Sequence, residues 1–189
     1  MEKELPVRKK IRLEGYDYSQ DGYYHITICV ENGLEMLGKV DVGDGVLDVP
    51  FVKLSEYGII AEKRIAALNE HYEHISIQKY VIMPNHIHIL LSVLNNPVHK
   101  GKDGTSQNEK SGTSRTPSPT NAVIPSFVST LKRFIHKDCG FILFQRAYHD
   151  RIIRDKTEYY QKCSYIEQNP VKWAEDEYRN LQENLKRKT

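Results

Sequence analysis

The stretch YVIMPNHIHILLSV, residues 80–93, decides the fold. Two apolar runs, Ser76–Met83 and His86–Leu94, flank the dipeptide Pro84-Asn85. Both runs are short, rich in Val, Ile and Leu, and separated by turn formers, so they read as a tight antiparallel strand pair. Side chains alternate along a strand. Ile87, Ile89, Leu91 and Val93 therefore share the core face, and His86 and His88 share the other. Residues two apart on a strand are roughly 6.6–6.8 Å apart. Two parallel imidazoles at that spacing can converge on one metal ion, each about 2 Å from it. An oxygen ligand and water would complete the shell and leave positions for substrate. The bland alternative is two exposed histidines on an alternating strand, and the motif alone does not choose between them.

Upstream, Tyr23–Val30 alternates with Tyr24, Ile26, Ile28 and Val30 on one face and reads as a strand. Met36–Asp41 and Gly45–Phe51 read as a short hairpin around Gly43-Asp44-Gly45. Ser55–His71 carries Tyr57, Ile60, Ala61, Ile65 and Leu68 at helical spacing, with Ser55 placed to cap it. Downstream, Ala122–Lys137 reads as an amphipathic helix. Phe127, Leu131, Phe134 and Ile135 form its stripe, and Lys132, Arg133 and Lys137 lie off it. Phe141–Ile153 reads as extended. Asp155–Glu158 is a capping-box-like start for a helix running to about Gln168, where Pro170 stops or kinks it. Val171–Lys188 is charged and helical in pattern. On the Asp155 helix, Tyr159, Cys163 and Ile166 share one face, and Tyr165 and Asn169 are neighbours on the adjoining flank.

The chain has 189 residues with 39% hydrophobic and 28% charged, and a mean hydropathy of −0.58, which is a globular composition. No apolar run is long enough to cross a membrane, and the charged start, MEKELPVRKKIR, is not a secretory leader. Cys29, Cys139 and Cys163 are few and scattered, so the expected compartment is the cytoplasm. The net charge of +2 is an average over two basic zones. Residues 1–12 carry 5 Lys/Arg against 2 Asp/Glu, and residues 122–189 carry 13 against 9, which suits a polyanionic partner. Residues 101–120 contain no apolar side chain and cannot build core. The organisation read from this is one domain, 1–189, with a low-complexity insertion at about 96–121.

The stretch at 80–93, followed downstream by YIEQNPVKW (165–173), resembles the REP-associated tyrosine transposases, single-tyrosine HUH transposases of bacterial insertion sequences. HIH stands as the HUH motif and YIxxNP as the tyrosine motif. RKKIRLEGYDYSQDGYYHITICV (8–30) and FQRAYHDRIIRD (144–155) are similar to the same family. The resemblance spans nearly the whole chain apart from the insertion. It implies an α+β, ferredoxin-like sandwich, an antiparallel sheet with helices packed on one face. It implies that Tyr165 is the nucleophile and that His86, His88 and the Asn169 side chain hold a divalent metal, Mg²⁺ or Mn²⁺. The implied substrate is single-stranded DNA next to a small hairpin, cut and rejoined through a 5′-phosphotyrosine. A homodimer is compatible with it. The sequence departs from the family at Phe144, where Trp is usual, and at Arg151, where His is common.

Lys132, Arg133, Arg146, Arg151 and Arg154 are candidate contacts to the DNA backbone, and Tyr16, Tyr18 and Tyr24 are candidate stacking residues, Tyr24 also suiting the core. Three other readings compete. One is a catalytically silent hairpin-DNA-binding protein derived from a transposase. A second is a metal hydrolase using a third His, for which no matching spacing exists. The last is an RNA-binding ferredoxin-like domain, against which the HIH strand lacks paired aromatics.

Overall fold

A computed structural model describes residues 18, 20–42, 49–94 and 123–175. Strand β1 (Gly22–Cys29) is followed by a single 3-10 turn (Glu31–Gly33) and a ribbon of β2 (Gly38–Asp41) and β3 (Phe51–Leu54). Helix α1 (Glu56–His71), strands β4 (Ile75–Met83) and β5 (His86–Val93), helix α2 (Val123–Cys139), strand β6 (His149–Ile153) and helix α3 (Lys156–Glu167) complete the order. The main sheet runs β4-β5-β1-β6, antiparallel throughout. With the ribbon set aside, the chain order β1-α1-β4-β5-α2-β6 is the split βαβ arrangement of a ferredoxin-like fold.

The strand pair at 75–93 forms as its sequence dictates. Pro84-Asn85 is the turn, and it is clamped by the residue after β1, Val30 N–H to Asn85 O (2.8 Å), and by the residue before β2, Leu37 N–H to Pro84 O (2.9 Å). Gln78 is an extra residue in β4, a bulge between Ile77 and Lys79. It keeps Ile77 opposite Leu91 and Tyr80 opposite Ile89, so both halves of β4 turn their apolar residues to the same side.

One face of the sheet carries Tyr24, Ile26, Ile28, Ile87, Ile89 and Leu91, all fully buried under α1 and α2. Ser55 caps α1 as expected, accepting from Gly58 N–H at 3.2 Å. Gly58 itself is required, because a Cβ there would stand 2.1 Å from the Leu37 carbonyl oxygen. Gly140, at φ +78, ends α2 by donating its N–H to His136 O. Arg64 of α1 and Asp138 of α2 make a two-pronged ion pair across the helix pair.

Helix α3 covers part of the opposite face. Ile166 packs on Leu90 and Ile153, with Tyr159 and Cys163 beside them, the buried face its periodicity predicts. Lys79 of β4 pairs with Glu167 at its end, and the Tyr23 and Tyr159 rings meet edge-on at 4.9 Å. Asp155 caps the helix by accepting from Glu158 N–H (2.8 Å), while the Glu158 carboxylate accepts from Arg154 N–H (3.0 Å).

Two boundaries differ from the sequence reading. The second ribbon strand was expected at 45–51; residues 45–48 lie outside the described residues, Val49 and Pro50 are not in a strand, and the strand described is Phe51–Leu54. Pro50 supplies no N–H and fixes its own φ, so pairing begins after it. The expected turn at 43–45 lies outside the described residues, as do the insertion, the basic start and the tail beyond Glu175. Pro170 does not end the helical path. Gln168 alone breaks it, and residues 169–175 are helical again. Proline is well suited to a first helical turn, where no N–H partner is needed. Among the described residues, no helix is long and apolar enough to cross a membrane.

Candidate active site

Alternation in β5 places His86, His88, Leu90 and Ser92 on the face that α3 covers, and alternation in β1 adds His25 and Thr27 to it. The Nε2 atoms of His86 and His88 are 3.1 Å apart. Each ring is fixed from behind. His86 Nδ1 lies 2.7 Å from Asn85 Oδ1, an acceptor, so it carries the proton and leaves a lone pair on Nε2. His88 Nδ1 shares a hydrogen bond of 2.9 Å with Thr27 Oγ1. The Tyr165 hydroxyl reaches down from α3 to within 3.4 Å of His88 Nε2. Asn169 is buried beside them. Its amide donates to Tyr165 O at 3.3 Å, and its carboxamide lies close enough to the His86 imidazole to act on it.

The electrostatics keep these histidines neutral. Burial, then the neighbouring His86, His25 and Lys162, pushes His88 down to about 3. Burial, then Lys162 and Arg151, pushes His25 down to about 4. Burial lowers His86 too, with the Asn169 carboxamide opposing it. At 3.1 Å either His88 Nε2–H donates to the His86 Nε2 lone pair, or, with both nitrogens unprotonated, a cation between them offsets their repulsion. Ligands about 2.1 Å from one ion, set at a right angle, stand about 3.0 Å apart. The donor set therefore fits a divalent ion, with two imidazole nitrogens, one carboxamide and Thr27 and Asn85 orienting the rings from behind. Among the described residues, no group of three or more His, Cys, Asp and Glu side chains gathers to hold a metal. A site here depends on Asn169 as its third member.

Sequence reasoning missed three residues in this neighbourhood. His25 stacks on His88 with ring centroids 5.0 Å apart and stands edge-on to Tyr165 at 6.0 Å. Its signal was present, since it alternates with Tyr24 and Ile26 onto the histidine face. Lys162 and Lys172 place their ammonium groups 5.2 and 5.4 Å from the Tyr165 ring centroid. Their signal was helical spacing, at i−3 and i+7 from the tyrosine.

The five candidate DNA-backbone residues do not form one surface. Arg151 borders the groove beside Tyr165 and is paired with Glu158. Arg154 is exposed just beyond β6. Arg133 and Arg146 line a separate groove between α2 and the 142–148 segment. Lys132 is a correction. It is buried, and its ammonium donates to Gln145 O (2.7 Å), Arg146 O (3.3 Å) and Ala147 O (2.9 Å). Those carbonyls, together with the Tyr148 ring, replace its water shell, so Lys132 holds a loop. Tyr18 and Tyr24 are likewise buried, their rings packed at 6.4 Å, and Tyr16 lies outside the described residues.

Compared with known proteins, the fold superimposes on the structure of a REP-associated tyrosine transposase bound to a REP hairpin, with a TM-score of 0.53 and 18% identity over 85% of this chain and 74% of that one. The fold is that of a REP-associated tyrosine transposase. In sequence, the chain is 28% identical over 177 residues to an uncharacterized protein of Haemophilus influenzae, covering 90% of this chain and 92% of that protein. No family model matches the chain.

Proposed function

We propose that this protein is a metal-dependent single-stranded DNA endonuclease and strand transferase of the REP-associated tyrosine transposase kind, acting next to DNA hairpins. One observation carries the reading: a tyrosine hydroxyl stands 3.4 Å from a histidine nitrogen that itself faces a second histidine nitrogen at 3.1 Å. A phenol ordinarily has a pKa near 10, so a tyrosine attacking a phosphate at neutral pH needs a polarised target. His86, His88 and Asn169 would hold a divalent ion, which when bound would supply that polarisation by drawing charge from the scissile phosphate.

The remaining work belongs to the chain. Leu90, Ile153 and Ile166 seat α3 on the sheet and so aim the Tyr165 oxygen at the histidine pair. That oxygen forms a bond to phosphorus as the bond to the 3′-oxygen breaks. The phenol proton is delivered to the departing 3′-oxygen, leaving a 5′-phosphotyrosine and a 3′-hydroxyl. The covalent link retains the phosphodiester's free energy, so rejoining requires no nucleotide triphosphate. The sequence accordingly carries no P-loop of the GxxxxGK[ST] type. The REP hairpin bound by the structural neighbour supports a hairpin-bearing strand as substrate.

A labelled single strand bearing a hairpin, incubated with the protein and Mn²⁺ or Mg²⁺, should give a covalent adduct that peptide mass spectrometry maps to Tyr165. Tyr165→Phe should give none. Full cleavage by Tyr165→Phe would sink the mechanism, and hairpin binding without any adduct would point to the silent DNA-binding relative instead.

A further inference from the structure

The groove beside Tyr165 is walled by Arg151, Tyr160, Lys162, Gln168 and Lys172. Its three cations are not equivalent. Arg151 is neutralised by Glu158. Among the described residues, neither Lys162 nor Lys172 has a carboxylate partner, and both point at one aromatic ring. They arrive from separate helical runs. Lys162 lies one turn before Tyr165 in α3, and Lys172 lies two turns after it, beyond the break at Gln168. The Lys172 N–H bond to Gln168 O (3.0 Å) sets that second run on course. Lys162 is half-buried, and its charge contributes to lowering both His25 and His88, so its field reaches the sheet.

Resting on the reading above, we propose that Lys162 and Lys172 form a phosphate clamp around the nucleophile. Each engages a backbone phosphate of the single strand lying in this groove, at and next to the phosphate that Tyr165 attacks. Two ammonium groups without carboxylate partners among the described residues, 5.2 and 5.4 Å from the centre of the Tyr165 ring, concentrate positive charge beside it, and a polyanionic strand complements that charge. The same charges favour the transition state, in which negative charge builds on the non-bridging oxygens while the Oη–P bond forms and the P–O3′ bond breaks. Gln168 and the exposed Tyr160, whose ring meets Tyr159 edge-on, leave the rest of the groove open to bases of any kind.

The test uses Lys162→Gln, Lys172→Gln, the double variant, both Lys→Arg variants and Lys63→Gln, an exposed α1 control on the far face. Two readouts are taken: the rate of covalent adduct formation on the hairpin oligonucleotide, and the salt dependence of binding to unlabelled single-stranded DNA. Each Gln variant should slow adduct formation by about tenfold or more. Each should also flatten the slope of log K against log salt by about 0.7, the value for one single-strand phosphate contact. The Arg variants should retain most of both, and Lys63→Gln should match the wild type. A double variant that folds and binds with the wild-type slope overturns the clamp. If the wild type forms no adduct, the endonuclease reading fails while the binding slopes still decide the clamp.

Discussion

Strand β5 feeds two faces of one sheet. Ile87, Ile89, Leu91 and Val93 go to the side of α1 and α2, and His86, His88, Leu90 and Ser92 go to the side of α3. The first face is fully buried and apolar, and its neighbours are helices that supply more of the same. The second face mixes three histidines with a threonine, a buried amide and a small apolar cluster of Leu90, Ile153 and Ile166. The small cluster positions α3, and the histidines next to it pack against aromatic rings. A single period-two pattern thus yields a dry, apolar side and a polar side that carries the candidate site.

Exchanging side-chain losses across β5 tests this division most severely. His88→Ala should lower adduct formation by more than about 100-fold, because even an outer-shell partner of a metal ligand is worth about 10–100-fold. Ile89→Ala, one residue along and facing the other way, should destabilise the protein by about 2–5 kcal/mol in urea. It should leave the adduct rate per folded molecule near wild type. Equal stability losses from the two substitutions would break the division.

A smaller effect sharpens the polar side. Thr27→Val keeps the shape and removes the hydrogen bond behind His88 Nδ1. Calorimetric titration should show Mn²⁺ binding weakened by about tenfold with little change in thermal stability. An unchanged affinity would mean that the stacked His25 ring alone orients His88.

Acid provides the mildest contrast. His136, on α2, accepts the Phe144 N–H at Nε2 (3.1 Å), and burial holds its pKa below the usual imidazole value. A base depressed in the folded state binds fewer protons there than in the unfolded chain. Its stabilisation is therefore present above the unfolded pKa, near 6.5, and is lost as pH falls through the folded value. His25 and His88 carry the same sign with larger shifts, so the α3 side should dominate the acid sensitivity. In His136→Asn, the drop in Tm between about pH 7.5 and about pH 5 should be slightly smaller than in the wild type. An identical drop would place all of the acid response on the α3 side.

What could be read from the sequence follows the same division. The strand pair, the helix caps at Ser55 and Asp155 and the buried face of α3 are local patterns, and each formed where its spacing placed it. The His86–His88–Tyr165–Asn169 cluster joins residues 77 or more positions apart. It was legible through the two motifs taken together, since neither alone specifies what lies opposite. Lys132 was misread because its partners are backbone carbonyls of residues 145–147, which leave no trace in side-chain identity. Lys162 and Lys172 were overlooked for a different reason. Their meaning depends on the helix resuming after Gln168, and a proline two residues later looks like a stop.

The bulge at Gln78 has a consequence for crowded conditions. A sheet of four strands ends in two edges, here β4 and β6. Exposed edges are templates onto which a neighbouring chain can add its own strand. The extra residue interrupts the β4 edge, and the β2–β3 ribbon lies against that strand. The other edge is five residues long and presents His149, Asp150 and Arg151. Neither edge offers a long, flat, uncharged row of donors and acceptors. Newly made copies of this chain should therefore resist joining sheet to sheet through these edges.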